Sequence, residues 1–402
     1  MRPSSLAPKA NLCCRVSPQN STRIFNTVRG ALRLNAKMAG PADRNCLGLE
    51  SNVKSYRLQE FNRPLEPEDH STPEPRGTEV LLRVVAAGMC HTDLHLCDGG
   101  YDLGHGDRLS LTDRGIKLPL TLGHETVGQV VSLGREAANV TVGENYLIFP
   151  WIGCGECRIC AAGDESFCAK PRFLGILRDG GYSDHIVVPH SRYLLDLSGL
   201  DFATAAPFAC SGVTTYSALK KAGSLVKHEP IVIFGAGGLG LMSLGLLKAM
   251  DGVGAVVVEV DAHKRTAALA AGALAVVDGN AADAMDQINR AAGGSPRVLI
   301  DFVGSEQTAR LAFHCVAKGG KIIMVGLFGG TAPWPLPLVT MKAVTIQGNY
   351  LGSLEELVEL LDLVRRKRVP AIPITSARLD TVNQMLQTLR EGNVLGRVVL
   401  TP

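Results

Sequence analysis

Short apolar runs begin near residue 79, and the polar positions between them change character near residue 230. Before that point the runs are strand-like and punctuated by glycine: Glu79 to Ala87, Thr126 to Val131 and Tyr182 to Val188. After it, brief apolar runs at 231–234, 255–260, 274–277, 297–303 and 320–326 alternate with stretches of helical periodicity. Alternation of that kind predicts a parallel sheet with helices on both faces, whereas the earlier part predicts a β-rich unit. A helix is expected over Leu354 to Arg366 and a last strand over Val398 to Leu400. The fold class is therefore α/β, with the folded chain beginning near Ser51 and no internal repeat.

The run from Ile231 to Leu247 is almost wholly apolar, but five glycines interrupt it. It reads as strand, turn and helix, not as a membrane span. Composition adds that 402 residues, 46% hydrophobic and 20% charged, suit a globular protein of about two domains. The net charge of +3 is misleading. Residues 1–42 carry seven Lys or Arg and no acid, which leaves 34 basic against 38 acidic residues, a charge of −4, for the remainder. No nucleic-acid partner is expected from such a body. The first segment is Arg- and Ser-rich and lacks the apolar core of a secretory signal. It fits an organelle transit peptide or an upstream reading frame, with Met38 as one candidate start, and residues 1–50 are expected to stay outside the fold. The location expected is cytoplasmic, or mitochondrial if the extension is a transit peptide.

The glycine run has chemical meaning. Gly235-Ala-Gly237-Gly-Leu-Gly240 lies between the strand Ile231–Phe234 and a helix-like stretch from Leu241 to Met250. In that context G-x-G-x-x-G is a dinucleotide fingerprint. Gly235 allows the turn, Gly237 lets backbone approach a pyrophosphate, and Gly240 lets helix and strand pack closely. The helix N-terminus faces the anion. Asp261 follows the next strand, where a carboxylate can bond both ribose hydroxyls and repel a 2′-phosphate, favouring NAD.

Cys154, Cys157, Cys160 and Cys168 form C-x2-C-x2-C-x7-C. Four thiolates within fifteen residues make the closed all-sulfur cage of a structural zinc site. The bacterial ferredoxin run closes with x3 and a proline, whereas here the gap is x7 and Ala169 follows. Disulfides are the remaining alternative, and nothing else marks a stapled secreted domain. A third set is dispersed: Cys90, His124 within Gly123-His124-Glu125, and Cys210. Two thiolates and one imidazole are the ligands of a catalytic zinc with one position open.

In order and spacing these motifs resemble the zinc-dependent medium-chain alcohol dehydrogenases across about residues 51 to 402. The resemblance implies a GroES-like β-rich catalytic domain over 51–211 and 346–402, and a Rossmann doubly wound, NAD-binding domain over 212–345. It implies two zinc ions per chain, one held by Cys90, His124 and Cys210 with Glu125 just behind, and one by the four-cysteine cage. Asp93 would orient the ligating histidine. Thr92 would take the alcohol proton, and His95 would pass it to solvent. His91, Thr214, Gly235, Gly237, Gly238, Leu239, Gly240, Asp261 and Arg397 would hold NAD, the last gripping its pyrophosphate. The partners implied are a small alcohol or aldehyde and a second copy of the chain, as homodimer or homotetramer, with no membrane.

Leu118 to His124, Pro150 to Cys154 and Val187 to Tyr193 are similar to one branch, the bacterial 6-hydroxyhexanoate dehydrogenases. That branch shares a longer loop between the first two zinc ligands, here Asp98 to Lys117. Arg108, Arg114 and Lys117 in this loop are candidates to meet a substrate's distal carboxylate. Three other readings are open: a zinc-free reductase on the same fold, a zinc-ribbon binding module, and a catalytically silent structural relative. The complete Cys90, His124 and Cys210 set argues against the first, the acidic body against the second, and the intact proton relay against the third.

Overall fold

A computed structural model describes residues 51–402. The basic N-terminal extension, with the transit-peptide and early-start expectations attached to it, lies outside the described residues.

The chain opens with an antiparallel pair, β1 (Asn52–Leu58) and β2 (Glu66–Ser71). β3 (Val80–Gly88) leads into α1 (His91–Asp98), and a hairpin follows, β4 (Gly100–Gly104) with β5 (Asp107–Ser110). The short β6 (Leu120–Thr121) joins the edge of β1. Next come β7 (Glu125–Leu133), β8 (Asn145–Ile148), α2 (Arg158–Ala161), β9 (His185–Val188) and β10 (Leu194–Asp196). β3 is the spine of a seven-stranded sheet, paired with β7 on one edge and β9 on the other. Its apolar residues are buried on both faces, and the one exposed position is Arg83.

Two helices, α3 (Phe202–Ala205) and α4 (Ser211–Ala222), carry the chain to a second sheet. There β11 (Ile231–Phe234), α5 (Gly238–Ala249), β12 (Ala255–Val258), α6 (Ala262–Ala270), β13 (Ala275–Val277), α7 (Ala284–Ala292), β14 (Val298–Asp301), α8 (Glu306–Cys315) and β15 (Lys321–Met324) alternate as expected, and α9 (Leu336–Lys342) and β16 (Thr345–Gly348) extend the alternation by one further strand. All six strands run parallel in the order β13-β12-β11-β14-β15-β16. This is the doubly wound order whose crevice opens where the winding reverses, between β11 and β14. Successive residues of β11 face different cores: Ile231 and Ile233 join one hydrophobic cluster, Val232 and Phe234 the other. The last strand runs to Gly348, three residues past the boundary read from the sequence.

The chain then returns. α10 (Leu354–Lys367) packs on α4, and β17 (Ile374–Arg378), α11 (Val382–Arg390) and β18 (Arg397–Thr401) complete the first sheet. β18 lies parallel to β17 and antiparallel to the end of β3, so residues far apart in sequence meet at Gly88 and Val399.

The segment 98–117 is more ordered than a loop. Beyond the β4–β5 hairpin, its tip rests on the turn after β15: the Gly330 N–H donates to Asp102 O at 3.3 Å, and Thr331 Oγ1 lies 3.0 Å from His105 Nε2. Among the described residues no helix is long and apolar enough to cross a membrane.

Candidate active site and its metal centres

The N-terminus of α1 sets the first side chains. Cys90 is its N-cap, with extended backbone (φ −118°, ψ 156°), and the Asp93 carboxylate folds back to accept the Cys90 N–H at 2.8 Å. That reciprocal cap satisfies an otherwise orphaned donor and fixes both residues. Thr92 and His95, three apart, share a helix face. Thr92 Oγ1 is 3.7 Å from Cys90 Sγ, and the His95 ring packs against Tyr101 with centroids 4.7 Å apart. Burial lowers the His95 pKa, which keeps the imidazole neutral and able to accept a proton.

His124 follows Gly123, whose φ of +92° a side chain would strain and whose missing Cβ leaves room for the Tyr182 ring. His124 is wholly buried, with Nδ1 3.3 Å from Asp93 Oδ1. The other Asp93 oxygen accepts the Tyr182 hydroxyl at 2.8 Å. Cys210 caps α4 after a short turn containing Pro207, and the Trp151 indole holds that turn by donating to Ala209 O at 2.9 Å. Trp151 also packs on His124, with ring centroids 5.3 Å apart. Its part in the site had no signal in the sequence.

Cys90, His124 and Cys210 are all buried, and their ligand atoms lie within 4.8 Å of one another. Both ring nitrogens of His124 are buried without a hydrogen-bond partner; Nδ1 stands 3.3 Å from Asp93 Oδ1, which leaves Nε2 as the nitrogen for a metal. Two sulfurs and one imidazole within that span fit zinc. The Cys210 thiol, as a donor, holds Cys90 well below the ordinary thiol range, and the Arg397 guanidinium acts in the same direction against burial. A thiolate is the form that binds metal.

Glu125 does not join this cluster. It faces the other way, accepting the Ser211 N–H at 3.0 Å and Arg397 Nη2 at 3.1 Å. Burial pushes its pKa up to about 7, against the pull of Arg397. Arg397, expected at the pyrophosphate, is 3% exposed, and besides Glu125 it reaches Ser211 Oγ and Cys90 Sγ. Its Cδ and Nε also crowd Gly238 at the start of α5, where a Cβ would come within 3.1 Å. It therefore stands between the three ligands and the glycine loop.

The cage is compact. Sulfur separations are 3.9 Å for Cys154 to Cys160, 3.5 Å for Cys157 to Cys160 and 3.9 Å for Cys157 to Cys168. A tetrahedron with zinc–sulfur bonds of about 2.3 Å has edges of about 3.8 Å, so the four sulfurs fit that ion. They are too far apart for disulfides, which need about 2.05 Å. Backbone N–H groups of Glu156 and Cys157 lower Cys154 to about 6. Gly153 is required, because a Cβ there would sit 2.4 Å from Cys160 Sγ.

In the nucleotide crevice, Gly237 precedes α5 and has open space where a Cβ would stand, and a Cβ on Gly240 would strike Gly235 O at 1.9 Å. These are the close approach and close packing read from the motif. Leu239 lies in the first turn of α5, and His91 is exposed at the first turn of α1. Thr214 is buried on α4, with its Oγ1 unpartnered and its carbonyl accepting Asn349 Nδ2 at 3.1 Å.

Two acids stand at this end of the crevice. Asp261 is the N-cap of α6, and its carboxylate accepts the Lys264 N–H at 2.8 Å. Glu259 is the carboxylate directly after β12. Its Oε2 accepts the Ala236 N–H, inside the glycine loop, at 2.8 Å, and its Oε1 accepts the Asp261 N–H at 3.0 Å. Both oxygens of Glu259 are thus taken by backbone donors, whereas Asp261 gives one oxygen to the helix cap.

Of the three loop cations, Arg108 turns back to donate to Asp98 O, and Lys117 is exposed. Arg114 differs. Burial pushes Tyr101 up to about 12, and Arg114 opposes that shift while Cys90 adds to it. Arg114 and the metal-ligand cluster thus act on the same phenol.

Comparison with known proteins agrees with this geometry. Residues 76–198 match the alcohol dehydrogenase GroES-like domain, and residues 238–366 match the zinc-binding dehydrogenase family. The NAD-dependent alcohol dehydrogenase of Sulfurisphaera tokodaii is 36% identical over 87% of this chain and 100% of its own. The D-arabinose 1-dehydrogenase (NADP+) of Saccharolobus solfataricus is 33% identical over 87% of this chain and 97% of its own. The crystal structure of the alcohol dehydrogenase from Aeropyrum pernix superposes with a TM-score of 0.79 at 33% identity, covering 87% of this chain and 100% of that one. The chain belongs to the zinc-binding medium-chain alcohol dehydrogenase family. Zinc and NAD are its cofactors.

Proposed function

We propose that the enzyme oxidises medium-chain primary alcohols, including ω-hydroxy acids such as 6-hydroxyhexanoate, to aldehydes, and reduces the aldehydes in reverse. The observation that carries the dehydrogenase chemistry is the convergence of Cys90, His124 and Cys210 beside a relay-ready helix. When bound, zinc supplies a Lewis acid for the substrate oxygen and NAD accepts the hydride. The residues of the chain do the rest. Thr92, at the mouth of the cluster, takes the hydroxyl proton. His95, neutral and on the same helix face, passes it toward solvent. Asp93 fixes the ring of His124. Cys154, Cys157, Cys160 and Cys168 hold the second zinc, which stabilises the lobe. We assign the ribose hydroxyls to Asp261, which gives one carboxylate oxygen to the cap of α6, whereas both oxygens of Glu259 are taken by backbone N–H groups of Ala236 and Asp261. The catalytic part would comprise 51–211 and the return segment, and the nucleotide part the six-stranded sheet through Gly348.

The distal carboxylate of an ω-hydroxy acid would meet Arg114. Its electrostatic reach to Tyr101, a ring packed on His95, supports that reading over Arg108 and Lys117. Arg114 is exposed, so the gain in kcat/KM over 1-hexanol should stay within roughly 1 kcal/mol. Kinetics with both substrates and NAD, at low and high salt, test it. The preference should shrink with salt and vanish in Arg114→Ala. Equal kcat/KM under all conditions would leave a general alcohol dehydrogenase, the reading favoured by the breadth of the relatives' names.

A homodimer is the assembly proposed. β16 is an unpaired sheet edge, and beside it Phe328, Leu336 and Met341 are 72%, 78% and 67% exposed. An open edge flanked by apolar side chains is suited to pairing with a second copy.

A further inference from the structure

We infer that Tyr182 is a positioning residue for the catalytic metal site, acting through Asp93 on His124. The inference rests on Cys90, His124 and Cys210 holding that metal.

Three independent contacts place it. The phenol is fully buried, and its hydroxyl donates to Asp93 Oδ2 at 2.8 Å. That oxygen also accepts the Cys90 N–H, so two donors pin one edge of the carboxylate and leave Oδ1 for His124 Nδ1. The Tyr182 ring occupies the space a side chain at Gly123 would need: a Cβ there would lie 2.5 Å from ring carbon Cδ1. The backbone is clamped as well. The Tyr182 N–H donates to Leu122 O at 2.9 Å, the Gly181 N–H to Gly123 O at 2.7 Å and the Gly180 N–H to Thr121 O at 2.9 Å. Tyr182 thus touches the ligand's backbone from one side and its orienting carboxylate from the other.

A carboxylate held by one donor can swing about its Cβ–Cγ bond, and one held by two on the same oxygen cannot without losing a buried hydrogen bond. Losing the phenol hydroxyl should therefore loosen His124 and leave the fold alone, since the ring of phenylalanine would still fill the space beside Gly123. Outer partners of metal ligands commonly govern affinity by 10–100-fold, and Tyr182 stands one bond further out.

The test is Tyr182→Phe in the full zinc-loaded enzyme. Zinc content of the parent, two per chain, checks the underlying site assignment separately. Release of the catalytic zinc to a chelator should then quicken by about threefold to tenfold. The cobalt-substituted site should shift its visible d–d band, and melting temperature should change little. In an Asp93→Ala background the same substitution should have no further effect on release, because the acceptor through which it acts is gone. Parental release rate and an unshifted cobalt band would overturn the inference, reducing Tyr182 to a space filler. So would a full, additive effect in Asp93→Ala.

Discussion

The two metal centres are built in opposite ways. The four-cysteine cage draws every ligand from one segment of fifteen residues, with its sulfurs 3.5–3.9 Å apart and backbone N–H groups close by. The Cys90, His124 and Cys210 site takes its ligands from three distant turns. Each is held by something else: a helix cap for Cys90, Asp93 and Trp151 for His124, and the Trp151-braced turn for Cys210. A closed local site mostly stabilises its own loop. A dispersed one leaves its fourth side open, and its geometry is set by the whole fold.

That contrast can be broken from either side. His124→Ala should abolish turnover, a loss on the order of 10³-fold or more, with the fold and one zinc per chain retained. Cys157→Ser should do the reverse, lowering melting temperature and soluble yield while the surviving folded enzyme keeps its kcat. Metal analysis, thermal melts and NADH absorbance separate the two. If both variants lose stability equally, the catalytic zinc is structural too.

Arg397→Leu comes next in size. It would strand Glu125, a wholly buried carboxylate, beside the ligands. Removing one partner of a buried pair costs about 3–5 kcal/mol, and the low end is expected because Glu125, already near 7, can take up a proton. Denaturant unfolding reads this directly; a loss under 1 kcal/mol would show that the pair carries little.

Within the dispersed site, Thr92→Ala should lower kcat by about 10²-fold or more, and His95→Gln by far less, because solvent substitutes more readily for the distal imidazole. Near-normal kcat in Thr92→Ala with both zincs in place would remove the relay.

The smallest effect concerns the nucleotide. Asp261→Ser should narrow NAD preference over NADP, by relieving charge repulsion while keeping a side chain able to cap α6, more than Glu259→Ser does. Kinetics with both cofactors decide, and the opposite ranking would move the ribose to Glu259.

The same contrast explains what could be read from the chain. The cage, the glycine loop and the strands β11 to β15 are local patterns, and each strand appears within two residues of its expected place: the strand at 231–234 is exact, and the helix from Leu354 extends one residue beyond Arg366. The strand β16 had no expected counterpart. Cys90, His124 and Cys210 could be grouped only by their ligand chemistry and the resemblance that followed from it, since no spacing joins them. Tyr182, Trp151 and the inward turn of Arg397 depend on tertiary contacts that leave no periodic trace. The part played by Glu259 was hidden for a related reason: it stands two residues before Asp261, and only the fold shows its carboxylate bridging the glycine loop and the start of α6. The hairpin at 100–110 was hidden by its polar, glycine-rich composition, which also describes a loop.

The position of β18 has a consequence for how the molecule is made. This strand lies next to β3 and brings Arg397 to Glu125, yet it leaves the ribosome after every strand of the six-stranded sheet. During synthesis the nucleotide half can finish folding while the first sheet still lacks an interior strand and the buried Glu125 still lacks its counter-charge. Assembly thus runs from the middle of the chain outward, and the site that carries the chemistry is completed last.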